Sequence, residues 1–231
     1  MKKPNLPFKG RALTQLELDN CDVKRFLLPG SEETIEIVGP LRLALWLLTA
    51  FDNQCTSCVV RPRKLELHHD VTVELDFWAL YGDGSERFIH LISDKDCLSG
   101  PTGRAFRDAT LWSSAAQRTG TPLTFVFERD IASKGQRVAN FLRMLANVQA
   151  SYHLPDRLLL RERVKEFFDA RPTPMTIEQV KGGLFDLNSA DVHAALCGFI
   201  YEGAIAFDVD LPLGERTVLT WTGVLKLERA A

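Results

Sequence analysis

Apolar residues alternate with polar ones through Val71, Val73, Leu75 and Phe77, the period of a half-buried strand. Asp83-Gly84 follows, a dipeptide suited to a tight hairpin turn. Arg87 to Ile92 reads as the returning strand. Upstream, Leu41, Leu45 and Leu48 share one helical face, widened by Ala44 and Leu47, behind Gly39-Pro40. Proline is well tolerated in the first turn of a helix. Residues 32 to 38 read as a short strand, and Cys55 to Leu67 as one strand or two. Arg107 to Arg118 reads as a helix ended by Gly120, Leu123 to Phe127 as a buried strand, and Val138 to Tyr152 as another helix. This order of helix, strands, helix, strand and helix is an α/β one.

Pro155 marks a boundary. Asp156 is placed to cap a helix running to Arg171, which Pro172-Thr-Pro174 breaks. Thr176 with Gln179 three residues on forms a capping box, and Asn188 caps a third helix closed by Gly203. Two strands follow, Ala204 to Val209 and Thr217 to Trp221. Three helices followed by a hairpin describe a winged helix-turn-helix. The expected division is an irregular arm over 1–34, an α/β domain over 35–153 and an α+β winged-helix domain over 154–231.

Composition bounds the function. The chain has 231 residues, 45% of them hydrophobic, so it can bury a sizeable core. Its net charge of -2 means that any nucleic-acid contact must come from a local patch. The start lacks the apolar stretch of a signal peptide. The longest apolar run, Leu41 to Phe51, contains Arg42 and is too short to cross a bilayer. Five scattered cysteines suit reduced thiols, so a cytoplasmic protein without membrane contact is expected.

Several segments resemble the TnsA-type endonuclease subunit of heteromeric cut-and-paste transposases. These are Gly39-Pro-Leu-Arg-Leu-Ala-Leu, Val59-Val-Arg-Pro, Glu74-Leu-Asp-Phe-Trp, the run from Gly120 to Ile131, and Asn140-Phe-Leu-Arg-Met-Leu. The resemblance covers roughly residues 35 to 222. It implies a restriction-endonuclease-like core of the PD-(D/E)xK type followed by a winged helix. It further implies binding to transposon-end DNA, with a DDE-type transposase and an AAA+ ATPase as partners.

The same resemblance places four catalytic positions. The family's helix Glu falls on Arg42, its hairpin Asp on Asp76, its Gln or Glu on His90 and its Lys on Ile92. Only Asp76 is kept. Mg²⁺, the cofactor implied by an active site of this kind, requires several hard oxygen ligands. Asp76 alone supplies too few, Arg42 would repel the metal, and Ile92 cannot stabilise charge. A nuclease-inactive assembly factor is therefore expected. An active endonuclease with a shifted site, drawing on Glu74, Asp76, His90, Asp94 and Lys95, stays open, as does a DNA-binding regulator or defence accessory protein.

The remaining candidates concern DNA and thiols. Lys2, Lys3, Lys9 and Arg11 form an acid-free arm, and Arg61, Arg63 and Lys64 cluster before the hairpin; both patches suit phosphate contacts. From Gly182 to Glu215 there is no Lys or Arg, while Asp186, Asp191, Glu202, Asp208, Asp210 and Glu215 occur. Such a winged helix would be repelled by a DNA groove, so a protein contact is expected, by resemblance the ATPase. Cys55 and Cys58, three apart on a strand, are expected on opposite faces and hence not to form a zinc site with His68 and His69.

Overall fold

The computed structural model describes residues 7–27, 29, 33–68, 71–100, 103–171 and 174–223. They form two compact units. The first holds the described residues up to Phe26, Ile35–Ala50 and Cys55–Ser133. The second is built mainly from Lys134 onward and includes Phe51–Gln54.

In the first unit, Thr14 caps helix α1 (Gln15–Asn20) through a reciprocal capping box with Glu17. Strand β1 (Val23–Leu27) then pairs with β2 (Thr34–Val38). The stretch read as irregular thus contains a helix and a strand, and the Thr14-x-x-Glu17 spacing is the signal for the helix. Helix α2 (Pro40–Ala50) starts at Pro40, behind Gly39 at φ 79°. Next come β3 (Cys55–Val60), β4 (Lys64–His68), β5 (Val71–Glu74), β6 (Phe77–Tyr81) and β7 (Glu86–Ile92).

The alternating run from Val71 to Phe77 is two strands rather than one. β5 pairs with β4 in a separate ribbon, whereas β6 pairs with β3 and β7. The chain leaves one ladder for the other at Leu75 and Asp76. There the Leu75 N–H donates to the Arg63 carbonyl and the Asp76 carbonyl accepts from the Arg61 N–H. Gly84, at φ 80°, makes the β6–β7 turn. A 3₁₀ turn (Asp94–Asp96), a hairpin of β8 (Cys97–Gly100) and β9 (Gly103–Phe106), and helix α3 (Ala109–Arg118) follow. Strand β10 (Leu123–Phe127) and helix α4 (Glu128–Ala132) complete the unit.

The main sheet has the order β10-β7-β6-β3, with β7 and β10 parallel and the other pairs antiparallel. This is a mixed α/β architecture. On one face, Val59, Trp78, Phe88 and Ile92 pack with Phe106 and Trp112. β10 was expected to be buried, yet every one of its residues is half-buried, because it is an edge strand.

The second unit contains α5 (Gly135–Ser151), α6 (Arg157–Asp169), β11 (Met175–Thr176), α7 (Ile177–Gly183), α8 (Ser189–Tyr201), β12 (Ile205–Phe207) and β13 (Val218–Trp221). Its small sheet has the order β11-β13-β12. The Thr176 capping box and the Asn188 cap form as read, whereas Asp156 precedes α6 without a side-chain capping bond. The sequence reading placed α5 with the first domain, ahead of Pro155. In the structure α5 lies in the second unit and packs along α8. From Val192 to Ile200 every residue of α8 except His193 is buried, as suits a helix apolar on all sides.

Candidate functional site

Three of the four positions marked by the resemblance meet at Asp76. This residue sits in the break between β5 and β6 and is 5% exposed. Arg42, in the first turn of α2, sends Nε to Asp76 Oδ1 at 2.5 Å. The backbone N–H of Leu91, on β7, donates to Oδ2 at 2.8 Å. His90 Nδ1 lies 2.9 Å from the same Oδ2, within ion-pair distance, although its N–H is off the line of a directed hydrogen bond. The His90 ring stacks on Trp112 of α3, with centroids 4.2 Å apart. Ile92, two residues further along β7, is buried in the core.

The electrostatics follow from that geometry. Burial pushes the Asp76 carboxyl up. The contact with His90, the charge of Arg42 and the Leu91 amide outweigh it, and the net shift is downward. Asp76 is therefore an ionised carboxylate with both oxygens engaged. A cation at Oδ1 would have to displace a guanidinium and then sit beside it, so this donor set does not suit Mg²⁺. Among the described residues, no three His, Cys, Asp or Glu side chains gather as a metal site.

Of the residues of the shifted-site alternative, Asp76 and His90 meet, whereas Glu74, Asp94 and Lys95 have other surroundings. Glu74 belongs to β5 and is held by the Arg11 guanidinium, which grips Glu17 as well. Asp94 opens the 3₁₀ turn, where its N–H donates to Glu128 Oε2 at 3.0 Å. Lys95 and Asp96 are exposed in the same turn.

The basic cluster is drawn inward. Arg61 is 9% exposed, adopts φ 49°, and donates from Nε to the Arg11 carbonyl at 2.9 Å. Burial pushes its guanidinium pKa down, the cost of desolvating a charge. Arg63 donates to Thr121 and lies 4.4 Å over the Phe88 ring. Only Lys64 of the three is exposed, so the patch expected to meet phosphates is mostly part of the fold. Phe8, Gly10 and Arg11, from the arm, lie against the same region. Lys2 and Lys3 lie outside the described residues.

Cys55 and Cys58 share a sheet face, contrary to the spacing rule. A bulge at Thr56 makes Cys55 oppose Tyr81 and Cys58 oppose Ala79, which point the same way. Burial, followed by the neighbouring Cys55, pushes the Cys58 thiol up, which keeps it protonated and inert.

The acidic stretch of the second unit is largely neutralised from within. Asp186 pairs with Arg163, Asp210 with Arg137 and Glu215 with Lys181. Glu202, buried, takes both Arg161 nitrogens and the Tyr152 hydroxyl. The cations come from α5, α6 and α7, upstream of the stretch in which none was found. The β12–β13 loop is fastened to α5 through Asn140, fully buried. Its Nδ2 donates to the carbonyls of Val209 at 2.9 Å and Leu211 at 2.8 Å, and its Oδ1 accepts from the Leu213 N–H at 3.0 Å.

Trp112 and Arg11 are parts of this machinery whose roles the sequence did not show. Trp112 backs the His90 ring, and Arg11, read as part of a basic arm, holds Glu74 and Glu17. Compared with known protein families and with curated proteins, the chain matches no family model and no curated protein. No helix among the described residues is long and apolar enough to cross a membrane.

Proposed function

We propose that this chain is a TnsA-like transposition component whose restriction-endonuclease-like core has lost its nuclease chemistry. It acts as an assembly factor at transposon-end DNA, beside a DDE-type transposase and an AAA+ ATPase. The observation that carries the loss of chemistry is the Arg42 guanidinium on Asp76 Oδ1, where a metal would need a free carboxylate oxygen. Three of the four positions given by the resemblance come together around one carboxylate, which supports the nuclease-like core. Their chemistry has become that of a structural ion cluster.

The second unit supports contact with protein. Read as a winged helix, its third helix α8 is the recognition helix, and a recognition helix must present polar side chains to a groove. α8 is buried from Val192 to Ile200 except at His193, and its exposed start, Ser189 and Ala190, carries no cation. The unit exposes Leu158, Leu159 and Phe185 instead, at 80%, 63% and 86%, side chains of the kind found at the centre of protein interfaces. The expected acidity contributes less, because most of those carboxylates already have cations.

A plasmid-nicking assay with Mg²⁺ or Mn²⁺, wild type beside Asp76→Ala, with and without the candidate transposase, tests the loss of chemistry. Neither protein is expected to nick. Metal-dependent nicking by the wild type that the variant lacks would overturn it. Genes for a DDE transposase and an AAA+ ATPase are expected beside this one, and their absence would remove the transposition part of the proposal.

A further inference from the structure

The two edges of the main sheet are treated differently. Strand β3 forms one edge. It is bulged at Thr56, and its end is crossed by the segment around Gly10, where an added Cβ would lie 2.7 Å from the Val60 carbonyl oxygen. Bulges and covering segments are devices by which proteins blunt an edge. Strand β10 forms the other edge, and among the described residues it has no bulge and no hydrogen-bonded covering segment. Its sequence is Leu-Thr-Phe-Val-Phe, without charge, proline or bulge, and its parallel register with β7 is unbroken.

The backbone direction of β10 can be worked out. The Phe88 N–H donates to the Pro122 carbonyl, and partners alternate along a parallel ladder. Thr124 and Val126 therefore turn their N–H and C=O groups towards β7. Leu123 and Phe125 turn theirs outward, as does the N–H of Phe127. No hydrogen bond of the described residues takes up these outward groups. Meanwhile the Leu123, Phe125 and Phe127 side chains pack on the core, so the strand is held in place.

We propose that β10 is an interaction edge and that its occupant is a second copy of β10, antiparallel about a two-fold axis at Phe125. The strand's own sequence favours a second copy. Antiparallel pairing about Phe125 sets Leu123 opposite Phe127 and Thr124 opposite Val126, apolar or neutral throughout, with no like charges facing. Phe125 exchanges both backbone bonds with its counterpart. The arrangement is isologous and closes as a dimer, joining two four-stranded sheets into one. This inference does not depend on the nuclease reading.

Light-scattering mass across a concentration series tests it, with two double variants that read the register. The wild type is expected to reach twice the chain mass. Thr124→Lys with Val126→Lys places like charges opposite each other across the two-fold axis and is expected to give the chain mass. Thr124→Lys with Val126→Glu places opposite charges there and is expected to keep the doubled mass. A wild type at the chain mass throughout, or double variants that behave alike, would overturn the proposal. Hydrogen exchange on the wild type needs no substitution. The Phe125 and Phe127 amides are expected to be protected when concentrated and to lose protection on dilution, whereas exposure at every concentration contradicts the pairing.

Discussion

Asp76 has the Arg42 guanidinium on one carboxylate oxygen and the Leu91 amide and His90 at the other. Removing one partner of a buried charge leaves the other uncompensated, which costs more than the pair contributes. Arg42 is 44% exposed, so water repairs part of the loss. Arg42→Ala is expected to lower unfolding stability by about 1–3 kcal/mol, read from urea melts. The double variant with Asp76→Ala should lose less than the two single losses added together; simple additivity would contradict the coupling. The pH dependence has a definite sign. The Asp76 carboxyl is shifted down in the fold, so the unfolded chain binds its proton more tightly. The contribution is complete above the unfolded value of about 3.9 and disappears as pH falls through the folded value. Asp76→Asn should flatten the acid limb of the stability curve, and an unchanged limb would contradict the account. The convergence of Arg42, Asp76 and His90 has no local signal in the sequence; the three were singled out there only by resemblance. The stacking of His90 on Trp112 has none either, because the two come from a strand and a helix some 20 residues apart and nothing in either local pattern links them.

At the scale of elements, α5 and the β12–β13 loop act together. Asn140→Ala would orphan the Leu213 N–H and two carbonyls, and is expected to cost about 2–3 kcal/mol. Amide exchange in residues 208–213 should accelerate with it; unchanged exchange would mean that the loop is held by other contacts. Arg137→Ala removes an exposed ion pair with Asp210 and is expected to cost less than about 1 kcal/mol. The elements with local signals were readable in advance. Pro40 started α2, Gly84 turned the hairpin, and the Thr176 and Asn188 caps began α7 and α8. The errors fell where long-range pairing overrides period. The alternation from Val71 to Phe77 continues unbroken through a change of partner strand, since period two records burial but not which strand is opposite. The bulge at Thr56 likewise leaves no mark in the sequence, though it reverses the facing of Cys55 and Cys58.

At the scale of the whole molecule, a charge tally along the chain misled because neutralisation is three-dimensional. The cation-free span from Gly182 to Glu215 looked like an acidic surface, yet Arg137, Arg161, Arg163 and Lys181 reach it from preceding helices. The basic cluster differs in the opposite sense, since Arg61 is buried and Arg63 donates to Thr121 and lies over Phe88. What remains is a mixed α/β unit with a buried carboxylate, Asp76, that is satisfied from within. The most direct test is a Mn²⁺ titration of the wild type, Asp76→Ala and Arg42→Glu followed by electron paramagnetic resonance. No bound Mn²⁺ dependent on Asp76 is expected in the wild type, and a site is expected to appear when Arg42→Glu replaces the guanidinium with a second carboxylate. A stoichiometric Mn²⁺ site in the wild type that Asp76→Ala abolishes would contradict it.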